Sequence, residues 1–275
     1  LTDKYLIGNE IGIGNFSIVK ECKDKKRGIV MALKIIDQNK IERNHERLMK
    51  EINIMKRLKH ENILRLINKF ETQEHIYLVL EYSQVGNLGE FLVNTEYYNE
   101  QDISGMLHNI ATGLHYIHSN KIIHRDIKFE NVLIHEDSSG SKLKICDFGL
   151  ACEFSDRLTV ICGTPHFIAP EMLSQHGYDC KVDIWSLGVM FYILLFGMAP
   201  FSCSSNDFND IFERIMKNEI ATPSENWSHV SPEAISLLEC TFQRDVDKRY
   251  TASEILNFPW ISVCYYILLE FNNLF

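Results

Sequence analysis

The sequence lacks any run of the roughly 18 apolar residues that a membrane-spanning helix needs. Its apolar stretch from Leu187 to Met198 is too short to span a bilayer and reads as a buried core helix. No signal-peptide pattern is visible. The eight cysteines, at 22, 146, 152, 162, 180, 203, 240 and 264, include no Cys-x-x-Cys pair and no His/Cys cluster at zinc spacing. That scatter fits buried, reduced thiols in a cytoplasmic setting rather than a disulfide or zinc framework. An excess of positive charge is missing as well. With 28 Lys and Arg against 37 Asp and Glu, the formal net charge is −9, which argues against nucleic acid or an anionic membrane as partner. There is no internal repeat and no long low-complexity linker. Asn15-Phe16-Ser17 and Asn226-Trp227-Ser228 fit the glycosylation pattern, but nothing else suggests secretion and both are read as chance matches.

What is present is enough for a large core: 275 residues, 45% of them hydrophobic, expected as one or two closely packed domains. Tyr5 to Gly12, Phe16 to Lys23 and Ile29 to Asp37 are β-rich runs separated by Gly- or Lys-bearing turns. Leu48, Ile52, Met55 and Leu58 recur at helical spacing and predict a helix over 41–58. Leu64 to Phe70 and Ile76 to Glu81 read as two further strands. From Gly86 onward the pattern is mostly helical: 88–93, 100–119, 182–196, 208–217, 232–242 and 251–256. The switch near Tyr82-Ser83 predicts an α+β chain of two lobes, 1–82 and 83–261, joined at a short hinge, with an apolar tail over 262–275. The chain opens on Leu1 rather than Met, so the expectation is a piece of something longer.

Four short strings follow one another: Gly12-Ile13-Gly14, Ala32-Leu33-Lys34, the run His124-Arg125-Asp126-Ile127-Lys128-Phe129-Glu130-Asn131, and Asp147-Phe148-Gly149. Each alone is weak. Together they supply the parts for moving the terminal phosphoryl group of ATP onto a hydroxyl. Gly12 and Gly14 let a backbone approach the triphosphate, and Phe16 could close the loop over it. A dinucleotide fingerprint would need a following helix, whereas here a strand follows, and Ser17 stands at the third glycine position. Taken alone, the loop also reads as an ordinary hairpin turn. Lys34, inside an apolar strand, pairs with the α/β-phosphates and with a carboxylate of the next helix; Glu51 is the first candidate and Glu46 the fallback. Taken alone, such a lysine more often lies at a sheet edge or surface. Asp126 would orient or accept the hydroxyl proton, Lys128 would steady the moving phosphate, and Asn131 and Asp147 would hold Mg²⁺. The acidic balance is compatible with a basic peptide substrate.

Over residues 2–261 the chain resembles the eukaryotic Ser/Thr protein kinase domains of the calcium/calmodulin-dependent group, and within it the doublecortin-like kinases. Beyond the four strings, Ala169-Pro170-Glu171, Asp183-Ile184-Trp185-Ser186 and Gly163-Thr164-Pro165 carry the general resemblance. Ile11 to Phe16 running into Val19-Lys20-Glu21-Cys22, Ser104-Gly105-Met106-Leu107, His135-Glu136-Asp137, Asp245-Val246-Asp247 and Pro259-Trp260-Ile261 carry the finer one. The resemblance implies a bilobal kinase fold: a small antiparallel β lobe with one main helix, and a larger, mostly helical lobe. It also implies an ATP site lined by Ile11, Gly12, Gly14, Phe16, Ser17, Val19, Ala32, Lys34, Leu80, Glu81, Ser83 and Cys146. It further implies a Glu171–Arg249 ion pair, Asp183 holding the catalytic loop, Thr164 hydrogen-bonded to Asp126 and Lys128, and an apolar stack of Met55, Leu66, His124 and Phe148. A pseudokinase scaffold is the alternative; the presence of Lys34, Asp126, Asn131 and Asp147 speaks against it. A small-molecule kinase fits less well than a protein kinase, because Ala169-Pro170-Glu171 and Arg249 belong to peptide-presenting machinery.

The departures from the family pattern are few. Phe129 replaces the usual Pro, and Phe258 the usual His before Pro259-Trp260. Asn87 stands where an acidic residue would meet the ribose or an upstream substrate arginine, leaving Glu90 and Glu130 as candidates for that arginine. Val160 occupies a common activating phosphosite, so Arg125 lacks a phosphate there; the expectation is a segment that needs none, with the adjacent Thr159 as a substitute site. Cys146, beside Asp147, is expected to be an inert thiol on the floor of the nucleotide site, although Lys34 and a metal could activate it. The family usually carries microtubule-binding domains ahead of the kinase, which implies cytoskeletal association for a cytoplasmic protein. Residues 262–275 carry no Lys or Arg and do not resemble a calmodulin-binding helix; they either cap the large lobe or are a truncation scar.

Overall fold

The computed structural model describes residues 1–14, 17–41, 44–95, 97–137, 140–154, 158–201, 207–220 and 230–262. Phe16 and the tail over 263–275 therefore lie outside the described residues. By internal contact the chain forms two units: Leu1–Gly86 with Leu133–Gly149, and Asn87–Val132 with Leu150–Phe275. The sequence boundary at 82/83 thus differs from this division at residues 83–86 and 133–149.

The first unit is built on a five-stranded antiparallel sheet in the order β1 (Tyr5–Gly14), β2 (Ser17–Asp24), β3 (Val30–Asp37), β5 (His75–Leu80), β4 (Leu66–Glu71). Side chains alternate across a strand, and β3 shows the consequence. Met31 and Leu33 join Tyr5, Cys22 and Val79 in a buried cluster on one face, which places Ala32, Lys34 and Ile36 on the other. Lys34 sits opposite Val19 on one side and Leu78 on the other. It is therefore in the central strand of the sheet and not at an edge, with its side chain partly exposed.

The helix predicted over 41–58 is shorter. A 3-10 turn covers Gln38–Lys40, and helix α1 runs His45–Arg57, burying Leu48, Ile52, Ile54 and Met55. Asp37 takes the opening cap instead, accepting from the Asn39 backbone N–H at 3.0 Å. Beyond Gly86 the sequence pattern hid four strands among the described residues: the two-residue β6 (Ile122–Ile123) and β9 (Cys152–Glu153), which pair with each other, and β7 (Val132–Asp137) and β8 (Gly140–Ile145), which form a sheet of their own. They are too short for a decisive period. Asn62 ties this part of the unit to the rest: its Nδ2 donates to Leu143 O at 2.9 Å and its backbone oxygen accepts from Ile145 N at 2.8 Å.

The second unit is helical: α2 (Leu88–Val93), α3 (Glu100–Ser119), α4 (Pro170–Ser174), α5 (Lys181–Phe196), α6 (Phe208–Lys217), α7 (Pro232–Thr241) and α8 (Ala252–Leu256). Helices α2, α3 and α6 keep the predicted bounds, one end each of α5, α7 and α8 moves by one residue, and the short α4 has no counterpart in the sequence reading. Capping boxes open α3, through Asn99 and Asp102, and α8, through Thr251 and Glu254. Helix α5 is buried nearly all round, as expected of a central core helix. Among the described residues no helix is long and apolar enough to cross a membrane. Trp185 of α5 stacks on Phe201 at 5.6 Å, and the Arg249 guanidinium lies over its ring at 5.0 Å.

Candidate active site

In the first unit the β1–β2 hairpin pairs Gly12 with Val19 and Gly14 with Ser17. A Cβ on Gly14 would sit 2.8 Å from Ser17 Oγ, so a larger residue there would make the serine hydroxyl turn away. Lys34 Nζ lies 3.8 Å from Glu51 Oε1. Burial raises the Glu51 carboxyl above its ordinary value; Lys34 and Arg47 oppose that shift and Asp147 adds to it. Glu46 instead pairs with Lys50 at 2.8 Å on the helix surface, which removes the fallback. Arg47 was not singled out from sequence, yet its Nε donates to Gly149 O at 2.8 Å. Asp147 has a left-handed backbone, φ 59°, and one of its oxygens accepts from Gly149 N at 3.2 Å.

Ile11 is exposed, whereas Ala32, Leu80 and Cys146 are buried. Burial, helped by Asp147 and opposed by Lys34, pushes the Cys146 thiol up to about 12. Lys34 does not win that competition, so the thiol is expected to stay protonated at neutral pH. Glu81 is held by its backbone N–H, which donates to Arg65 O at 3.1 Å, and by its carboxylate, 3.0 Å from the buried Lys144 ammonium. Ser83 Oγ donates to Gly86 O and Ile134 O.

In the second unit, the loop leaving strand β6 (Ile122–Ile123), which pairs with β9 (Cys152–Glu153), carries the other half of the residues. Its backbone is clamped by Asp183, whose carboxylate accepts from His124 N at 2.9 Å and Arg125 N at 2.8 Å and lies 2.8 Å from His118 Nε2. Asp183 is completely buried. Desolvation works against its charge, but hydrogen bonds and nearby charge from His118 and His124 outweigh it and hold the carboxyl below its ordinary value.

The loop places four side chains in one network. Thr164 Oγ1 donates to Asp126 Oδ1 at 2.8 Å, Lys128 Nζ donates to Thr164 Oγ1 at 2.9 Å, and Lys128 Nζ lies 3.3 Å from Asp126 Oδ2. Asn131 Nδ2 donates to Asp126 O at 2.8 Å and to Asp126 Oδ2 at 3.0 Å. With the amide nitrogen so engaged, the side-chain oxygen is the atom of Asn131 that could hold a metal ion. An amide oxygen here and a carboxylate at Asp147 are hard donors that suit Mg²⁺. Among the described residues there is no cluster of three or more His, Cys, Asp or Glu that could form a metal cage.

Several departures acquire a structural account. Asn87 Oδ1 caps α2, accepting from Glu90 N at 2.9 Å, so its side chain already has a structural task. Glu90 and Glu130 are exposed. Phe129 meets Phe167 edge-on at 6.5 Å. Glu171 and Arg249 form a two-pronged pair, with Nη2 to Oε2 at 2.9 Å, and Arg249 also donates to Lys181 O and Gln243 O. Arg125 Nε donates to Leu150 O at 2.7 Å and its Nη1 to the Tyr178 hydroxyl at 3.1 Å. Neither Tyr178 nor His118 carries a sequence signal. Their roles depend on partners 53 and 65 residues away.

Against known proteins, the protein kinase domain matches residues 5–261. The serine/threonine-protein kinase DCLK1 of Rattus norvegicus is 41% identical over 263 residues, covering 95% of this chain and 61% of that protein. DCLK2 of Mus musculus is 42% identical, with 95% and 35% covered, and GD17699 of Drosophila simulans 38% identical, with 94% and 35% covered. The chain thus spans between a third and two thirds of the length of these relatives. With its five-stranded sheet, its helical second unit and a match over nearly its full length, the chain belongs to the protein kinase domain family, with the α+β fold of that family.

Proposed function

We propose that the chain transfers the γ-phosphoryl group of Mg-ATP to serine or threonine hydroxyls of protein substrates. The observation that carries this reading is the Asp126–Thr164–Lys128–Asn131 network. Asp126 is held by three neighbours in a fixed orientation, as a group that aligns a hydroxyl must be. It takes up the hydroxyl proton as the acceptor oxygen bonds to phosphorus and the bond from phosphorus to the ADP oxygen breaks. Lys128, fixed through Thr164, balances charge on the moving phosphoryl group. Lys34, oriented by Glu51, pairs with the α/β-phosphates. Asn131 and Asp147 are the residues that would hold Mg²⁺, which neutralises charge on the β- and γ-phosphate oxygens. The hairpin around Gly12 and Gly14, with Ile11, Phe16, Ser17, Val19, Ala32, Leu80, Glu81, Ser83 and Cys146, forms the proposed nucleotide-binding set.

The protein substrates carry basic residues upstream of the acceptor, met by the exposed Glu90 and Glu130. The protein is cytoplasmic, and any microtubule association belongs to domains outside this chain. A peptide panel tests the acceptor class: serine, threonine or tyrosine acceptors, each with and without upstream arginine. Transfer to Ser and Thr with an arginine preference, weakened in Glu90→Ala, is expected. Transfer to tyrosine alone would overturn the reading, and indifference to arginine would overturn the substrate preference.

A further inference from the structure

Val160 has no side-chain oxygen to modify, yet its neighbourhood is tied down. Tyr178 is 4% exposed, and its hydroxyl makes two hydrogen bonds at once. It donates to Val160 O at 2.7 Å and accepts from Arg125 Nη1 at 3.1 Å. The backbone of the same residue pairs with the segment again, Tyr178 N donating to Leu158 O at 2.9 Å across an isolated antiparallel bridge. Burial pushes the phenol above its ordinary range, against the pull of Arg125. The hydroxyl therefore keeps the proton it needs to donate.

Arg125 is fixed at its other end. Its φ of 67° is left-handed, its N–H is bound to Asp183, and its Nε to Leu150 O. The segment then passes Gly163, φ +100°, where a Cβ would come within 2.6 Å of Arg125 O. One residue later it delivers Thr164 to Asp126 and Lys128.

We propose that Tyr178 is a positioning residue: its hydroxyl, bridging the Arg125 guanidinium and the Val160 carbonyl, holds the segment from Leu158 to Thr164 in its working place without a phosphate. This rests on the kinase reading, because the working place is defined by Thr164 meeting Asp126. A phosphate would supply the arginine with charge and several acceptor oxygens. Tyrosine supplies one neutral acceptor and, unlike a phosphate ester, passes a proton donor on to the segment backbone. The arrangement is permanent, which suits a kinase whose control lies elsewhere than at position 160.

The test uses the unphosphorylated 1–275 chain and Tyr178→Phe, which deletes one oxygen and keeps the ring. Three quantities are read on each: the melting midpoint, kcat and KM for peptide and ATP, and amide exchange across 158–163. Both proteins are expected to melt alike within a few degrees. The variant should lose about tenfold in kcat, the scale of one charge-assisted hydrogen bond. Its KM for ATP should hold within about twofold, while exchange across 158–163 quickens and that of α5 does not. Parent-level kcat in the folded variant overturns the proposal, as does a fall in kcat with unaltered exchange. If the parent itself transfers nothing, the kinase reading fails separately, and unaltered exchange would still sink the bridge.

Discussion

Single residues here are decided by which force on them is larger. Cys146 lies beside Asp147 with Lys34 near enough to favour its thiolate, yet burial dominates and the thiol rises to about 12. At pH 8 only about one thiol in ten thousand would then be ionised. Iodoacetamide should leave Cys146 unmodified in the folded protein over an hour and label it fully in denaturant, as read by peptide mass. Rapid labelling of folded protein, slowed by ATP, would show an activated thiol instead. Glu51 illustrates the same competition: the sequence supports two candidate partners for Lys34, and burial separates them, since Glu46 is solvated beside Lys50 and Glu51 is not. The types and spacing of Asp126, Lys128, Asn131 and Asp147 are readable in the chain because the chemistry demands them locally. Tyr178 and Arg47 are not readable, because each is defined by a partner distant in sequence.

At the scale of elements, helices with strong caps and one apolar face match their sequence pattern closely. The start of α1 and the strands β7 and β8 do not. The former gives way to a 3-10 turn with its own Asp37 cap, and the latter are six residues each, too short for alternation to stand out against the helical stretch around them. The segment 158–164 is the element on which the second unit's network depends, and Gly163 is its tightest point. Gly163→Ala places a Cβ at 2.6 Å from Arg125 O and a side chain at φ +100°. The expected cost is about 1–3 kcal/mol, with a larger loss of activity because Thr164 is the next residue. Urea unfolding alongside initial rates measures both. An unchanged rate would mean that the segment's placement does not govern Asp126.

For the whole molecule, kinase membership is legible in the sequence because four strings in fixed order leave few other folds able to use them. What remained hidden was how the chain divides. Residues 133–149, including Asp147, belong by contact to the unit built from the first 86 residues, although they follow the helical α3 in sequence. Asp126 and Asp147 therefore come from different units.

The central claim is that these residues transfer phosphate to a hydroxyl, and the direct measurement is label transfer from Mg-ATP to an arginine-containing serine peptide. Unphosphorylated 1–275 protein is compared with Asp126→Asn and Asp147→Asn, each shown to be folded by its melting curve. The account predicts transfer by the parent and a loss of at least about a hundredfold in both variants. No transfer by a parent that binds ATP, or undiminished transfer by either variant, would contradict it.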